Sequence, residues 1–298
     1  MQMEDIILKR AKETSKKENK LAYILAKNLV AKRMQKMAFL VYYFLRWIDD
    51  ALDQGYLTKR QKLKFLRKEK KAIENIFSDK KIAKNLNEYE TCILLMKKLD
   101  SKVAYKMKKY VLDTYLTAFE FELKRPRIVT KKWLLKYADY VGGSFANIGI
   151  LVLDPDVDAK TMNGISKTVA SASDLAHLLR DFRKDIRNSQ INISKEDIEK
   201  FNININNMNE NSQELRNFTR SQVSEIEGLF WSGEKYIKSL PNFKLKLAAA
   251  LFVSKYRFVL AKIRNRDYNL FSNYDNNTLL ENIMRIGIIF NDVSRLVF

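Results

Sequence analysis

The sequence predicts a single all-α domain, and three observations support that fold class. Apolar residues recur at helical spacing along nearly the whole chain, and no segment shows the sustained alternation of a half-buried strand. Residues that interrupt helices are scarce, since the 298 residues include only 3 Pro and 8 Gly. With 46% hydrophobic residues and no Pro/Gly/Ser-rich linker, residues 1–298 are expected to form one helical domain.

The apolar periodicity also predicts where the helices lie. The expected helices cover 4–33, 35–53, 58–77, 86–98, 102–124, 130–152, 158–188, 195–201, 208–239, 242–268 and 276–296. Pro126 and Pro155 fall between helices, and Ser194 is a typical N-cap for the acidic first turn of 195–201. The long polar stretch 201–214 is interpreted as a surface excursion.

The chain is strongly basic, with a formal net charge of +20 and a sequence pI near 9.7. Such a charge is typical of proteins that meet nucleic acid, an anionic membrane surface or an anionic substrate. The positive charges are spread along the chain, and no zinc finger, RNA-binding signature or compact helix-turn-helix motif is present. Nucleic acid is therefore the least favoured partner. Docking on anionic bilayers and a uniformly solvated basic surface are about equally favoured.

Cysteine usage and hydropathy predict a cytoplasmic protein, with peripheral membrane contact left open by the charge. The lone Cys92 excludes a disulfide framework and a cysteine-based zinc site, and is expected to be a small buried residue. The charged N-terminal segment has no apolar core like that of a signal peptide. No stretch is apolar for the eighteen-odd residues that a membrane span requires.

The first acidic motif is FLRWIDDALDQ, residues 44–54. On a helix, Arg46, Asp49, Asp50 and Asp53 share a face, and three crowded carboxylates repel each other unless a cation lies between them. Magnesium suits such a site because it takes carboxylate oxygens and completes its shell with water or phosphate. An exposed acidic turn is the simpler alternative. The apolar neighbours favour carboxylates that point inward: Phe44, Trp47, Ile48 and Leu52.

The second acidic motif is DLAHLLRDFRKDIRNS, residues 174–189. Asp181 and Asp185 are one helical turn apart, and three more polar residues fall on nearly the same face. These are Asp174, His177 and Asn188, while Arg180, Arg183 and Arg187 run alongside. Taken alone, the motif fits an ordinary salt-bridged helix equally well.

The two motifs together favour a metal site. Two helices that each carry an i,i+4 carboxylate pair can share divalent ions, clamp a diphosphate and stabilise it as it leaves. Rival chemistry has no support, because the chain has one His and contains no GxSxG, P-loop or strand-associated GxGxxG motif.

A glycine pair interrupts the apolar helix of residues 134–151. Gly142 and Gly143 each cost about 1 kcal/mol relative to Ala, which indicates close helix packing or close approach of a ligand. With its aromatic and small neighbours the segment could equally line an apolar tunnel, where aromatic faces would stabilise a carbocation. Those neighbours are Tyr137, Tyr140, Ser144 and Phe145.

The order of these motifs resembles the squalene/phytoene synthase family over roughly residues 18–272. YYFLRWIDDALDQ is similar to its first aspartate-rich motif, and HLLRDFRKDIRNSQINISKEDIEKF to its second. TKKWLLKYADYVGGSFANIG resembles its tyrosine-containing, glycine-rich helix, and LFWSGEKYIKSLPNFKLKLAAALFVSKYRFVLAKIRNRDY its C-terminal helices. Several motifs in order are more specific than any one of them.

The resemblance implies an isoprenoid-synthase fold, a helical bundle around a central cavity, that joins two farnesyl or geranylgeranyl diphosphates. The first condensation would give a cyclopropylcarbinyl diphosphate, which would rearrange to a linear C30 or C40 hydrocarbon; the need for NADPH stays open. The resemblance implies magnesium at the acidic motifs: Asp49, Asp50, Asp53, Asp181 and Asp185. It implies catalytic roles for three residues: Arg46 and Arg180 near the diphosphates, and Tyr137 in proton or cation handling. Further substrate contacts would be Tyr42, Val141, Ser144, His177 and Tyr256.

The chain departs from the family pattern outside the carboxylates. His177 and Asp174 stand where the family has Asn and Gln, and Glu122 where it has Asp. Other replacements are Gln190, Ile191 and Asn192 for Arg-Val-Tyr, Asn273 for an arginine, and Ala146 for a glycine. These departures are expected to affect the second half-reaction and the identity of the product more than the metal-dependent prenyl diphosphate chemistry.

Two alternative functions follow from the same residues. A terpene synthase would ionise and cyclise one prenyl diphosphate on this fold. A non-catalytic member would serve as an assembly or interaction protein, but such proteins usually lose the aspartates that this chain retains.

Overall fold

All regular elements in the computed structural model are helices, which confirms the all-α prediction. The structure describes residues 3–53, 57–78, 86–210, 212–274 and 276–298. Within these ranges there is no β-strand, and the one strand-like feature is a bridge between Val129 and Ser194.

Fourteen α-helices follow one another along the described residues. They are α1 (Met3–Glu18), α2 (Lys20–Leu29), α3 (Lys32–Asp53), α4 (Lys59–Phe77), α5 (Glu88–Leu99), α6 (Ser101–Met107), α7 (Asp113–Leu123), α8 (Lys131–Leu153), α9 (Ala159–Ile165), α10 (Ser171–Arg187), α11 (Lys195–Phe201), α12 (Gln213–Lys238), α13 (Phe243–Asn265) and α14 (Leu279–Val297). Lys108–Leu112 joins α6 to α7 as a π-helical segment, and Ser166–Ala170 joins α9 to α10 in the same way. Such π segments occur frequently at functional sites.

The first of two compact units comprises Met1–Lys124 and Ser144–Val157. In this unit α3 packs against α1 and α5, and α4 packs against α5 and α7. Its core is formed by large side chains that recur at helical spacing and are fully buried: Met37, Phe44, Leu45, Ile48, Leu66 and Ile73.

The second unit comprises Arg125–Gly143 and Asp158–Phe298. Here α10 packs against α12 and α13, and α14 packs chiefly against α13. The fully or almost fully buried side chains at its centre are Phe182, Phe218, Val223, Phe230, Ile237 and Ile263. Helix α8 contributes to both units, and the prediction that residues 1–298 form one domain stays a prediction.

The predicted helix over 4–33 is wrong as a single element. It is divided at Asn19, whose side-chain oxygen accepts a hydrogen bond from the backbone N–H of Ala22 at 3.2 Å and caps α2. No Pro or Gly marks this break, so the periodicity continues through it. The predicted helix 208–239 begins later, at Gln213, where Ser212 provides the N-cap.

Other local predictions are confirmed. The Ser194 hydroxyl accepts a hydrogen bond from the Asp197 backbone N–H at 3.0 Å and caps α11. Cys92 is buried, and burial raises the pKa of its thiol to about 12, which keeps it unreactive. Among the described helices, none combines the length and the apolar composition needed to cross a bilayer.

Candidate active site

The first acidic motif occupies the C-terminal end of α3, in the first unit. Its apolar neighbours Phe44, Ile48 and Leu52 are buried in the core. The carboxylates lie on the other side of the helix, with the Asp50 side chain 55% exposed, Asp53 exposed and Asp49 partly covered. The expectation that apolar neighbours turn these acids inward is therefore not met for Asp50 and Asp53, because the apolar side chains take the core face of the helix themselves.

Arg46 relieves the repulsion within this turn. Its Nη1 lies 3.0 Å from Asp49 Oδ2, and its Nη2 donates to Asp50 Oδ1 one turn further along. Arg46 thus supplies part of the positive charge that a bound cation was expected to supply to these carboxylates. The same guanidinium remains partly accessible, so it can also meet an anionic ligand.

Tyr42 stands one turn before Arg46 on the same helix face. Burial raises the pKa of its hydroxyl to about 12, with the nearby carboxylates adding to the shift and Arg46 opposing it. The Tyr42 hydroxyl is therefore protonated at neutral pH and can donate a hydrogen bond. Its ring lies 6.5 Å from that of Phe145, next to the fully buried Ser144.

The second acidic motif lies on α10, in the second unit, and is preceded by a π-helical segment. Asp181 is held by its neighbours: His177 Nε2 lies 2.9 Å from Asp181 Oδ2, and Arg180 Nε donates to Asp181 Oδ1 at 2.7 Å. Burial raises the pKa of Asp181, but the hydrogen bonds from His177 and Arg180 more than offset it, so its pKa lies below the usual range. Asp181 is therefore a permanent carboxylate, and His177 contacts the acid that follows it by one turn.

Asp185 is in a different environment. Burial raises its pKa to about 6, a hydrogen bond from Asn192 works against that shift, and the charge of Asp181 adds to it. The Asn192 amide donates to Asp185 Oδ2 at 2.7 Å, while its carbonyl oxygen accepts from Arg125 at 2.8 Å. Arg125 also donates to the Ile191 carbonyl oxygen at 2.6 Å, which fixes the segment that follows α10. Asn192 is thus a partner of a predicted metal ligand.

Helix α13 brings two further groups to this face of α10. Burial raises the pKa of Tyr256 to about 12, with the charges of Asp174 and Asp181 adding to the shift and that of Arg180 opposing it. Burial also lowers the pKa of Lys255, and the nearby Arg180 lowers it further. Lys255 was not among the predicted site residues, because nothing in its spacing separates it from the other 54 basic residues.

The glycine pair of α8 serves close packing within the second unit. A Cβ on Gly142 would overlap the Ala170 carbonyl oxygen and lie 3.3 Å from Asp174 Cβ, and one on Gly143 would overlap Ser166 Oγ. Both contacts involve the π segment before α10, so the packing interpretation is confirmed. On the same helix Tyr137 stacks on Trp133 with ring centroids 5.3 Å apart, and Val141 is half-buried.

Several residues that the motifs singled out lie apart from these contacts. Arg183, Arg187, Asn188 and Asn273 are exposed, and Glu122 is half-buried at the end of α7 in the first unit. Arg183 donates to the Phe271 carbonyl oxygen at 3.4 Å. Asn188 ends α10 as its C-cap.

The donor set of α10 fits magnesium. Asp181 and Asp185 are hard carboxylate ligands one turn apart, and the raised pKa of Asp185 indicates a position where added positive charge is favourable. No group of three or more His, Cys, Asp or Glu side chains among the described residues could hold a metal ion unaided. Magnesium commonly uses one or two carboxylates and takes its other oxygens from phosphate and water, so substrate would complete the shell.

Comparison with known proteins assigns the class. A family model described as squalene/phytoene synthase matches residues 19–280. A dehydrosqualene synthase crystallised with a ligand shares 20% identity and a TM-score of 0.74, covering 98% of this chain and 97% of that one. Squalene synthase HpnC from Alicyclobacillus acidocaldarius shares 16% identity and a TM-score of 0.71, covering 88% of this chain and 95% of that one. No curated protein sequence matches significantly.

The fold is that of the all-α squalene synthases, and the protein is an enzyme of the prenyltransferase class. Because the family match spans most of its length, the chain belongs to the squalene/phytoene synthase family. Head-to-head condensation of prenyl chains is the general chemistry that this membership supports.

Proposed function

We propose that this protein condenses two identical prenyl diphosphates head to head in a magnesium-dependent reaction. In the first step one allylic diphosphate leaves, and the second prenyl diphosphate supplies the carbons of a cyclopropylcarbinyl diphosphate with loss of a proton. In the second step the remaining diphosphate leaves, and the carbon skeleton rearranges to a linear C30 or C40 hydrocarbon. That step ends either by gain of a hydride from NADPH or by loss of a proton.

The arrangement on α10 is the observation that supports this proposal most directly. Asp181 and Asp185 lie one turn apart beside Arg180, and Lys255 adds a further positive charge. A diphosphate is a polyanion, so basic side chains next to carboxylates fit a site that takes it together with a divalent cation. When bound, magnesium supplies the positive charge that a departing diphosphate requires.

Each predicted site residue has a part in the proposal. Asp49, Asp50, Asp53, Asp181 and Asp185 would hold magnesium, and Arg46, Arg180 and Lys255 would bind diphosphate oxygens. The protonated hydroxyls of Tyr42 and Tyr256 donate hydrogen bonds, and Tyr137 offers an aromatic face and a proton carrier. Contacts with the prenyl chain and the polar head are assigned to Val141, Ser144 and His177.

The test is product identification. The purified protein is incubated with farnesyl or geranylgeranyl diphosphate and magnesium, with and without NADPH, and the extracted products are identified by gas chromatography and mass spectrometry. We expect a linear C30 hydrocarbon from the first substrate or a linear C40 hydrocarbon from the second. Chelation of the metal should abolish both steps.

Product structure separates this proposal from its rivals. A cyclic C15 or C20 hydrocarbon would identify a terpene synthase that uses one substrate molecule. Accumulation of the cyclopropylcarbinyl diphosphate would show that only the first step is intact. It would indicate that the departures from the family pattern at Gln190, Asn192 and Asn273 impair the second step. If a magnesium-supplied, folded protein consumes neither substrate, the proposal is wrong.

A further inference from the structure

Helix α14 is turned with its charged side toward the protein and its apolar side outward. The buried residues of this helix include Glu281 and the completely inaccessible Asp292. Glu281 accepts a hydrogen bond from Arg266 at 2.9 Å, and Asp292 pairs with Arg257 of α13 and with Arg295 of α14 itself. These partners determine which side of the helix faces inward.

Beneath α14 the charges form one connected network. Glu234 of α12 lies 2.9 Å from Arg257 and 2.6 Å from Arg295, so both arginines bridge Glu234 and Asp292. Removing one member of a buried ion pair leaves the charge of the other uncompensated, which is strongly destabilising. Turning the apolar side of α14 inward would break these ion pairs. The observed orientation of α14 is therefore strongly favoured.

The outward side of α14 carries an uninterrupted apolar stripe, which we call the α14 stripe: Leu279, Ile283, Ile286 and Phe290. Their spacing of four, three and four residues places them on one face over about 16 Å of helix. Their exposed fractions range from 58% to 77%, and Leu280 beside them is equally exposed. Apolar surface of this extent is uncommon on a protein face that meets only water.

The exposed charges on α14 and on α13, the helix against which it chiefly packs, are basic. The segment 231–298 contains 11 Lys and Arg and 5 Asp and Glu. Three of those acids, Glu234, Glu281 and Asp292, are buried in ion pairs. Among the described residues of this segment, Asp267 is the one exposed acid, and it pairs with Arg216. On α13 and α14 the exposed positive charges are Lys244, Arg264 and Arg285.

The geometry points to an anionic lipid bilayer as the occupant of the α14 stripe. An apolar helix face in a basic surround is the pattern of helices that lie in the membrane interface, with side chains in the acyl boundary and cations at anionic headgroups. A second copy fits less well, because a symmetric contact would bring two basic rims together. This inference concerns attachment and does not depend on the reaction proposed above.

Vesicle binding tests the inference on the full-length protein. The wild type is sedimented with vesicles of phosphatidylcholine alone, or of phosphatidylcholine and phosphatidylglycerol in equal parts, at low and high salt. The key variant is Ile283→Ser combined with Phe290→Ser. Its matched control is Asn282→Ser combined with Asn291→Ser, which changes two exposed polar positions on the same helix. All these positions are exposed, and circular dichroism checks that the helical fold is retained.

We expect the wild type and the control to bind the anionic vesicles, more weakly at high salt. The Ile283/Phe290 variant should bind at least about tenfold less, because two large apolar side chains no longer enter the lipid. Equal binding by the variant and the wild type would mean that charge alone attracts the protein. The wild type could instead fail to bind either kind of vesicle. If the wild type and the control are then dimers in analytical ultracentrifugation and the Ile283/Phe290 variant is a monomer, the occupant is a second copy. Either result overturns the inference.

Discussion

The side-chain amide of Asn192 donates a hydrogen bond to Asp185, and the nitrogen and oxygen lie 2.7 Å apart. Asn192 is itself held, because its carbonyl oxygen accepts from the guanidinium of Arg125. Hydrogen bonds thus link Arg125, Asn192 and Asp185, and they connect the segment after α10 to a predicted metal ligand. Asn192, which stands where the family has a different residue, therefore contacts a predicted site residue in this chain.

Asn192 should act as a positioning residue for Asp185. Replacing it by Ala removes the hydrogen bond that Asn192 donates to Asp185 Oδ2 and frees that carboxylate to rotate. Loss of such a supporting contact typically lowers metal affinity or activity by about 10–100-fold. We expect the magnesium concentration for half-maximal activity to rise, and calorimetric magnesium binding in the presence of an unreactive diphosphate analogue to weaken in parallel.

The control for this experiment is Gln190→Ala, two residues earlier and exposed. It should leave the magnesium dependence unchanged. If Asn192→Ala and Gln190→Ala respond alike to magnesium, Asn192 does not position Asp185.

The carboxylates themselves should be indispensable for turnover. Asp49→Asn and Asp185→Asn each remove a negative ligand while keeping the side-chain shape, so the helical fold should persist. We expect each to lower the turnover number by roughly 10²-fold or more, as for loss of a group that stabilises charge in the transition state. Turnover of prenyl diphosphate and far-ultraviolet circular dichroism would be measured for both proteins.

The charge-matched control is Asp5→Asn, on the exposed side of α1. It should retain full activity. Normal turnover by both Asp49→Asn and Asp185→Asn would overturn the proposal that the two acidic motifs hold magnesium.

Features that depend on local spacing were predictable from the sequence. The i,i+4 relation of Asp181 and Asp185 follows from helix geometry alone, and Ser194 was recognisable as an N-cap because its partner Asp197 is three residues away. Glycine inside an apolar helix requires a reason, and close packing at Gly142 was one of the two reasons expected, beside close approach of a ligand.

Features that depend on distant partners were not predictable. Lys255 reaches the neighbourhood of Arg180 only because α13 packs on α10. The orientation of α14 is a clearer case, because an apolar stripe ordinarily faces the core. Here the ion pairs of Asp292 with Arg257 and Arg295 reverse that rule, and no periodicity within 276–296 reveals them.

Gly142→Ala should destabilise the protein although alanine is the better helix former. The added Cβ would meet backbone, with the Ala170 carbonyl carbon 2.8 Å away, and backbone cannot rotate aside as a side chain can. Overpacking of this kind typically costs about 1–3 kcal/mol. Thermal unfolding followed by circular dichroism should show a lower Tm.

Gly149→Ala in the same helix is the matched control. Its Cβ would have nothing within 4 Å, so the change should stabilise by about 0.5–1 kcal/mol through helix propensity. Equal shifts in Tm for the two variants would contradict the close contact at Gly142.

Glu69 should make the stability of the protein fall as pH rises. Its side chain on α4 is completely buried, Lys68 Nζ lies 3.4 Å from its Oε1, and neither carboxylate oxygen accepts a hydrogen bond from the described residues. Burial raises the pKa of Glu69 to about 7, against the ordinary value of 4.5, with Lys68 opposing and Glu90 adding to the shift.

The sign follows from proton uptake. Between pH 4.5 and 7 the folded protein holds a proton on Glu69 that the unfolded chain has released, so raising the pH favours unfolding. The penalty is absent below about pH 4.5 and complete above about pH 7, where it is roughly 3 kcal/mol. Glu69→Gln keeps the shape of the protonated acid and removes the titration. In chemical denaturation, the variant should exceed the free energy of unfolding of the wild type by much less at pH 5 than at pH 8. Glu199→Gln, at an exposed position of α11, should show no such pH-dependent gain. A Glu69→Gln protein whose advantage is the same at both pH values would mean that Glu69 is already ionised in the folded state at pH 5.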